Sequence, residues 1–178
     1  MIPQLETERL LLRALRAKDF EAFASFMADP DVVRFLHGVP MTRDDSWRLL
    51  ASSIGHWTLR GYGTWAVERK SDGAFIGRVG LINPEGWPAL EVGWTLGKPY
   101  WGQGYATEAG RAALGYGFAT QKVDRLISCI APENKPSQAV ALRLGESKGP
   151  RQDLVIGGQS YPVDIWSISR TEWRAQGA

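Results

Sequence analysis

Between residues 42 and 96 the hydrophobic period switches from 3.6 to 2 and holds there for three consecutive segments, which limits the chain to few architectures. From Thr42, the apolar side chains of Trp47, Leu50, Ala51, Ile54 and Trp57 recur along one helical face. Thr42 and Asp45 stand at capping-box spacing, and Gly61 marks the stop. Beyond Gly61, "GTWAVERK", "AFIGRVGLI" and "ALEVGWTL" read as strands, the first two joined by a Ser71-Asp72-Gly73 turn. Three strands in succession make a meander, and a doubly wound nucleotide fold has no place for one.

The flanking segments fit around that meander. "RLLLRAL" (9–15) predicts a first strand, and Phe20, Phe23, Ala24 and Met27 predict a helix over 17–30 that Pro30 stops. After the meander come a helix in "ATEAGRAALGYGFAT", a strand in "RLISCIA" and a helix in "PSQAVALRLG". "QDLVIGGQSYPVDIWSISR" closes the chain as a hairpin around Gly157-Gly158. The order predicts an α/β chain with a mixed, mostly antiparallel sheet in a single domain spanning residues 1–178. A 44% hydrophobic content supplies its core.

Bulk properties exclude several classes. Twenty-one Lys and Arg against 19 Asp and Glu leave a net charge of +2, too little for a nucleic-acid binder held by phosphate contacts. Cys129 is the lone cysteine, and His37 and His56 are not at ligand spacing, so no metal site is expected. The N-terminus lacks a signal-like apolar core and no run reaches the ~20 residues of a membrane span, so the expectation is a cytoplasmic protein with no membrane partner.

A glycine-rich loop, "GKPYWGQGYA", precedes the central helix. A helix N-terminus presents unpaired N–H groups and the positive end of its dipole. Gly102 and Gly104 let phosphate oxygens approach those amides, and Ala106 stays small at the first turn. The loop alone reads equally well as a tight turn without ligand. It has neither the Gly-Lys-Ser/Thr ending of a Walker loop nor a GxGxxG after the first strand.

"EVGWTLGKPYWGQGYATEA" (91–109) resembles the acyl-CoA segment of the Gcn5-related N-acetyltransferase (GNAT) superfamily, in particular its RimJ/RimL-like branch of ribosomal-protein N-terminal acetyltransferases. Gly104 and Ala106 match the end of the family signature, while Trp101 stands where Gln or Arg is usual. "LETERLLLRAL", "NKPSQAVALRLG" and "DIWSISRTEW" resemble three further segments of that branch in the same order. The resemblance implies a GNAT fold with helices on both faces of the sheet, acetyl-CoA as cosubstrate, and direct attack of an amine on the thioester. It places the CoA pyrophosphate on Trp101, Gly102, Gln103, Gly104, Tyr105 and Ala106, and the pantetheine arm along Trp94, Thr95 and Leu96. Asn134 binds cofactor or positions the attack, and Ser137 serves the departing thiolate; the plain alternative is that Ser137 caps its helix. Glu91 is the candidate general base, with Glu68 and Asp153 as rivals, and Cys129 reads as a core residue.

Two positions depart from the branch: Glu146 follows Leu144-Gly145 where an aromatic is frequent, and Trp166 stands where Tyr is frequent. The acceptor side draws on Phe35, His37, Trp47, Trp57 and Trp87, with Trp47 and Trp57 on an inward stripe. The acceptor is a primary amine, either a protein N-terminus or a small molecule. The absence of an acidic cluster favours the peptide α-amine over a polyamine. The alternative is a non-catalytic acyl-CoA-binding regulatory module, and family habit suggests a homodimer.

Overall fold

The computed structural model describes residues 2–36, 38–156 and 158–177. The chain opens with a two-strand corner, β1 (Leu5–Glu6) and β2 (Leu10–Arg13). The helix expected over 17–30 is divided into a 3-10 turn at Ala17–Asp19, α1 (Phe20–Met27) and α2 (Pro30–Val33). Pro30 stops one helix and begins the next: it has no N–H to lose at a first turn, and Asp29 caps that turn by accepting from the Asp31 N–H.

α3 (Arg43–Arg60) starts at Thr42, whose hydroxyl accepts the Asp45 N–H, and ends at Gly61 in the left-handed region. Its inward face differs from the expected one. Ser46, Leu50, Ser53 and Trp57 are buried, whereas Trp47 is 51% exposed and Ile54 38% exposed. The two serines return their hydroxyls to the carbonyls of Thr42 and Leu49, so they bury without a hydrogen-bond penalty. Trp47 instead lies edge-on against Phe20 at the surface.

The meander follows as β3 (Thr64–Arg69), β4 (Ala74–Ile82) and β5 (Glu91–Leu96). Then come α4 (Tyr105–Thr120), β6 (Arg125–Ile130), α5 (Lys135–Leu144), the hairpin β7 (Ser147–Ile156) and β8 (Gln159–Ser169), and a terminal turn of helix, α6 (Arg170–Ala175). Gly157, half of the expected hairpin turn, lies outside the described residues. The eight strands form one sheet in the order β1-β2-β3-β4-β5-β6-β8-β7. All described pairings are antiparallel except β5 with β6.

Alternation along the strands sends side chains to two helical layers. Trp65, Val79, Leu81, Val92 and Leu126 pack on Ala109, Ala113 and Leu114 of α4. On the opposite face, Ala66 and Phe75 meet Phe23, Met27 and Leu50 of α1 and α3. Helices therefore cover both faces, as the family resemblance implies.

Candidate active site

The parallel pair β5 and β6 shares a single register position, Glu91 with Ile127. Beyond it the strands part, and the backbone groups that a next rung would join are capped by side chains instead. The Cys129 N–H donates to the Glu91 carboxylate (3.2 Å), and the Ser128 hydroxyl lies 2.8 Å from the Val92 carbonyl. Buried backbone polar groups need such partners, so this opening is a built feature of the sheet.

Glu91 is 7% exposed and also accepts the Trp87 indole N–H. Burial is the main cause that pushes its carboxyl up to about 7, and the bonds from Trp87 and Cys129 restrain the rise. Its rivals are elsewhere. Glu68 is held by Arg13 at 2.6 Å, and Asp153 is exposed on β7 opposite Pro162. Burial pushes the Cys129 thiol far up, with the Glu91 charge adding to it, so Cys129 stays protonated and unreactive at neutral pH.

Sequence reasoning missed a second carboxyl at the opening. Glu146 is 2% exposed; its Oε1 lies 2.9 Å from the Ser128 hydroxyl, and its Oε2 is buried without a partner among the described residues. Ser128 has one proton to give. If Val92 receives it, the Glu146–Ser128 bond requires a protonated Glu146. Burial agrees: it is the main cause that holds Glu146 up at about 8, with the Ser128 bond opposing it and the nearby Glu91 charge contributing to the rise. The available signal was a charged residue where the family has an aromatic, directly after a helix-ending glycine.

On the α4 and α5 face of the opening, Asn134 caps α5 by accepting the Ser137 N–H at 3.1 Å. The cap is thus Asn134, and the Ser137 hydroxyl is not used for it. That hydroxyl accepts the Trp94 indole N–H at 3.2 Å, which leaves its own proton available. Trp94 joins Ile130, Ala141 and Trp166 in a small apolar cluster there. The Trp166 indole N–H is buried with no partner among the described residues.

The glycine loop follows β5 directly. A 3-10 turn at Lys98–Tyr100 leads to Trp101, whose indole N–H ties the loop back to the Leu96 carbonyl at 2.8 Å. Gln103 closes the turn by donating to the Pro99 carbonyl at 3.0 Å. Gly102 and Gly104 have φ of 73° and 81°, and Gly104 is the N-cap of α4. A Cβ on Gly102 would meet nothing within 4 Å, so an anion has room against the open first turn of α4. This geometry fits a pyrophosphate.

Arg9 adds a fixed positive charge that the sequence reading did not assign. It pairs with Glu108 at 2.7 Å, donates to the Gln103 carbonyl at 3.0 Å and lies over the Tyr105 ring. It belongs to the opening "LETERLLL" segment, so its signal was present. Of the expected acceptor-side aromatics, Trp87 contacts Glu91, Phe35 is half-buried, and Trp57 is core against Trp65 and Tyr116. His37 lies outside the described residues.

Residues 9–146 match the family described as Acetyltransferase (GNAT) domain. The chain is 32% identical over 174 residues to a Bacillus licheniformis protein named Uncharacterized N-acetyltransferase p20, covering 95% of this chain and 97% of the relative. It is 27% identical over 184 residues to the [Ribosomal protein uS5]-alanine N-acetyltransferase of Escherichia coli strain K12, covering 96% of this chain and 92% of the relative. The crystal structure of the acetyltransferase from Agrobacterium tumefaciens strain C58 superimposes with a TM-score of 0.83 at 31% identity, covering 96% of each chain.

Proposed function

The chain belongs to the GNAT acetyltransferase family, and from that premise we propose that it transfers an acetyl group from acetyl-CoA to the α-amine of a protein or peptide N-terminus. The observation that carries the chemistry is the opened β5–β6 edge, with Glu91 on one face and Ser137 on the other. The uS5-alanine acetyltransferase relative, and the lack of an acidic cluster among the described residues, support a peptide amine over a small-molecule amine.

The amides of residues 101–106, with Arg9 beside them, hold the pyrophosphate. Trp94, Thr95 and Leu96 line the open edge for the pantetheine arm, and Asn134 positions the helix that faces it. Glu91, poised near neutrality, takes the proton of the attacking amine. Ser137 keeps a free hydroxyl proton for the departing thiolate while Trp94 fixes its oxygen. No covalent intermediate on the protein is required. The enzyme acts as a homodimer in this reading, and a monomeric mass by light scattering at micromolar concentration would count against that.

The test is calorimetric titration with acetyl-CoA, followed by thiol release against N-terminal peptides, polyamines and aminoglycosides. Peptide-dependent release is expected. Release only with small-molecule amines would move the acceptor class, and no binding of acetyl-CoA would overturn the reading.

A further inference from the structure

Two arginines share the sheet face that carries Glu91, and they are treated differently. Register places Arg13 opposite Ala66, Ala66 opposite Arg78, and Arg78 opposite Thr95 in one row across four strands. Arg13 is fully enclosed and satisfied, with Asp19 gripping it at 2.7 and 2.8 Å and Glu68 at 2.6 Å. Arg78 has no carboxylate partner among the described residues. Its guanidinium donates to the Ser53 hydroxyl at 2.9 Å and lies over the Phe23 ring.

A guanidinium so placed is expensive unless something pairs with it. Burial alone pulls Arg78 down to about 10, which still leaves it charged at neutral pH. Yet the side chain is only half-buried, so it is deep without being sealed. That combination leaves the guanidinium within reach of a bound group. Asp19 and Glu68 on this side of the sheet are committed to Arg13, which leaves the Arg78 guanidinium open to a carboxylate that a ligand brings in.

Along the same face, the pairs Gly80–Gly93 and Ile82–Glu91 follow Arg78–Thr95. A Cβ on Gly93 would meet only Glu91 Oε1 at 3.8 Å and Ile82 at 4.0 Å, so the floor between the base and the arginine is open. Glu91 and Thr95 are four residues apart on one strand, roughly 13 Å at ~3.3 Å per residue. An extended ligand with its amine at Glu91 would bring its second or third residue to Arg78.

Resting on the acetyl-transfer reading above, we propose that Arg78 selects acceptors that carry a carboxylate near the amine: peptide N-termini with Asp or Glu at the second or third residue. The same charge repels polyamines and aminoglycosides, which would bring only further cations to it.

The test uses C-terminally amidated peptides that differ only by Glu, Gln or Lys at the second or third residue. Each is assayed by thiol release, and by calorimetric binding to the CoA-loaded protein so that a readout survives without turnover. The wild-type protein should prefer Glu over Gln by about 10- to 100-fold, the range of a charge-assisted hydrogen bond. R78Q should erase the preference, and R78E should turn it toward the Lys peptide. R78K, which keeps the charge and loses the fork, should retain part of it. Glu and Gln peptides used and bound alike by the wild type, or neither bound, would overturn the proposal even if R78Q failed to fold. Intact acetyl-CoA binding with thiol release on other amines would then leave the transferase reading standing, whereas loss of acetyl-CoA binding would sink that reading itself.

Discussion

Ser137 accepts a hydrogen bond from Trp94 and leaves the helix cap to Asn134, so its own proton is the unspent donor on that face of the opening. S137A should lower kcat by about 10²-fold, the lower range for general acid–base catalysis, while acetyl-CoA affinity changes less than about threefold. Equal, small changes in both would remove Ser137 from the chemistry. Glu91 belongs to the same scale. With its carboxyl near 7, kcat/KM should rise with pH until Glu91 is ionised and level off above that; E91Q should lose both the activity and the dependence. A flat wild-type profile between pH 6 and 8 would assign the base elsewhere. Among single residues, legibility followed chemistry and not burial. Glu91 and Ser137 could be named from a pattern, but nothing in a sequence says that Glu146 turns inward under α5. Nor does a sequence say that Ser46 and Ser53, with their hydroxyls returned to the backbone, displace Trp47 from the buried face of α3.

At the scale of elements, the glycine loop is held by its own side chains before any ligand arrives. Trp101 anchors it to β5, Gln103 closes its turn, and Arg9 reaches across from the chain's first segment. Gly104 then enters α4 at φ 81°, and a Cβ there would lie 3.4 Å from the Arg9 guanidinium. G104A should cost about 1–2 kcal/mol in backbone strain. By disturbing the amides at the helix start it should also weaken acetyl-CoA binding about tenfold or more. Calorimetry that finds unchanged affinity would mean the loop is only a turn. Helices and strands were legible where the hydrophobic period was long and regular. The failures are local: Pro30 opens α2 as well as ending α1, and β1 is too short to show any period. Which residues cap the open edge of β5 could not be seen in sequence, because they come from far along the chain, here Ser128 and Cys129.

For the whole molecule, the two carboxyls at the opening set an unusual dependence of stability on pH. Both Glu91 and Glu146 have folded-state values raised above the ordinary carboxylate value, to about 7 and about 8. The folded state therefore binds more protons than the unfolded chain, and the stability held below about pH 4.5 is lost as pH rises through those values. Asp164 works in the opposite sense. Its bonds from Arg151 and Lys148 hold it down at about 2, so its contribution is present above the ordinary value and lost as pH falls toward 2. These three groups place the most stable range at mildly acidic pH. E146Q keeps the shape and a donor for Ser128 but cannot ionise. Its advantage over the wild type should grow between pH 5.5 and pH 8.5 by on the order of 3 kcal/mol, about 6–12 °C in Tm for a chain of this size. Thermal unfolding of the two proteins at both pH values decides it. A constant gap would mean that Glu146 is already ionised in the folded protein throughout this range. A wild type more stable at pH 8.5 than E146Q would mean that the carboxylate is satisfied as an anion, so that Ser128 gives its proton to Glu146 and leaves the Val92 carbonyl for a ligand to engage.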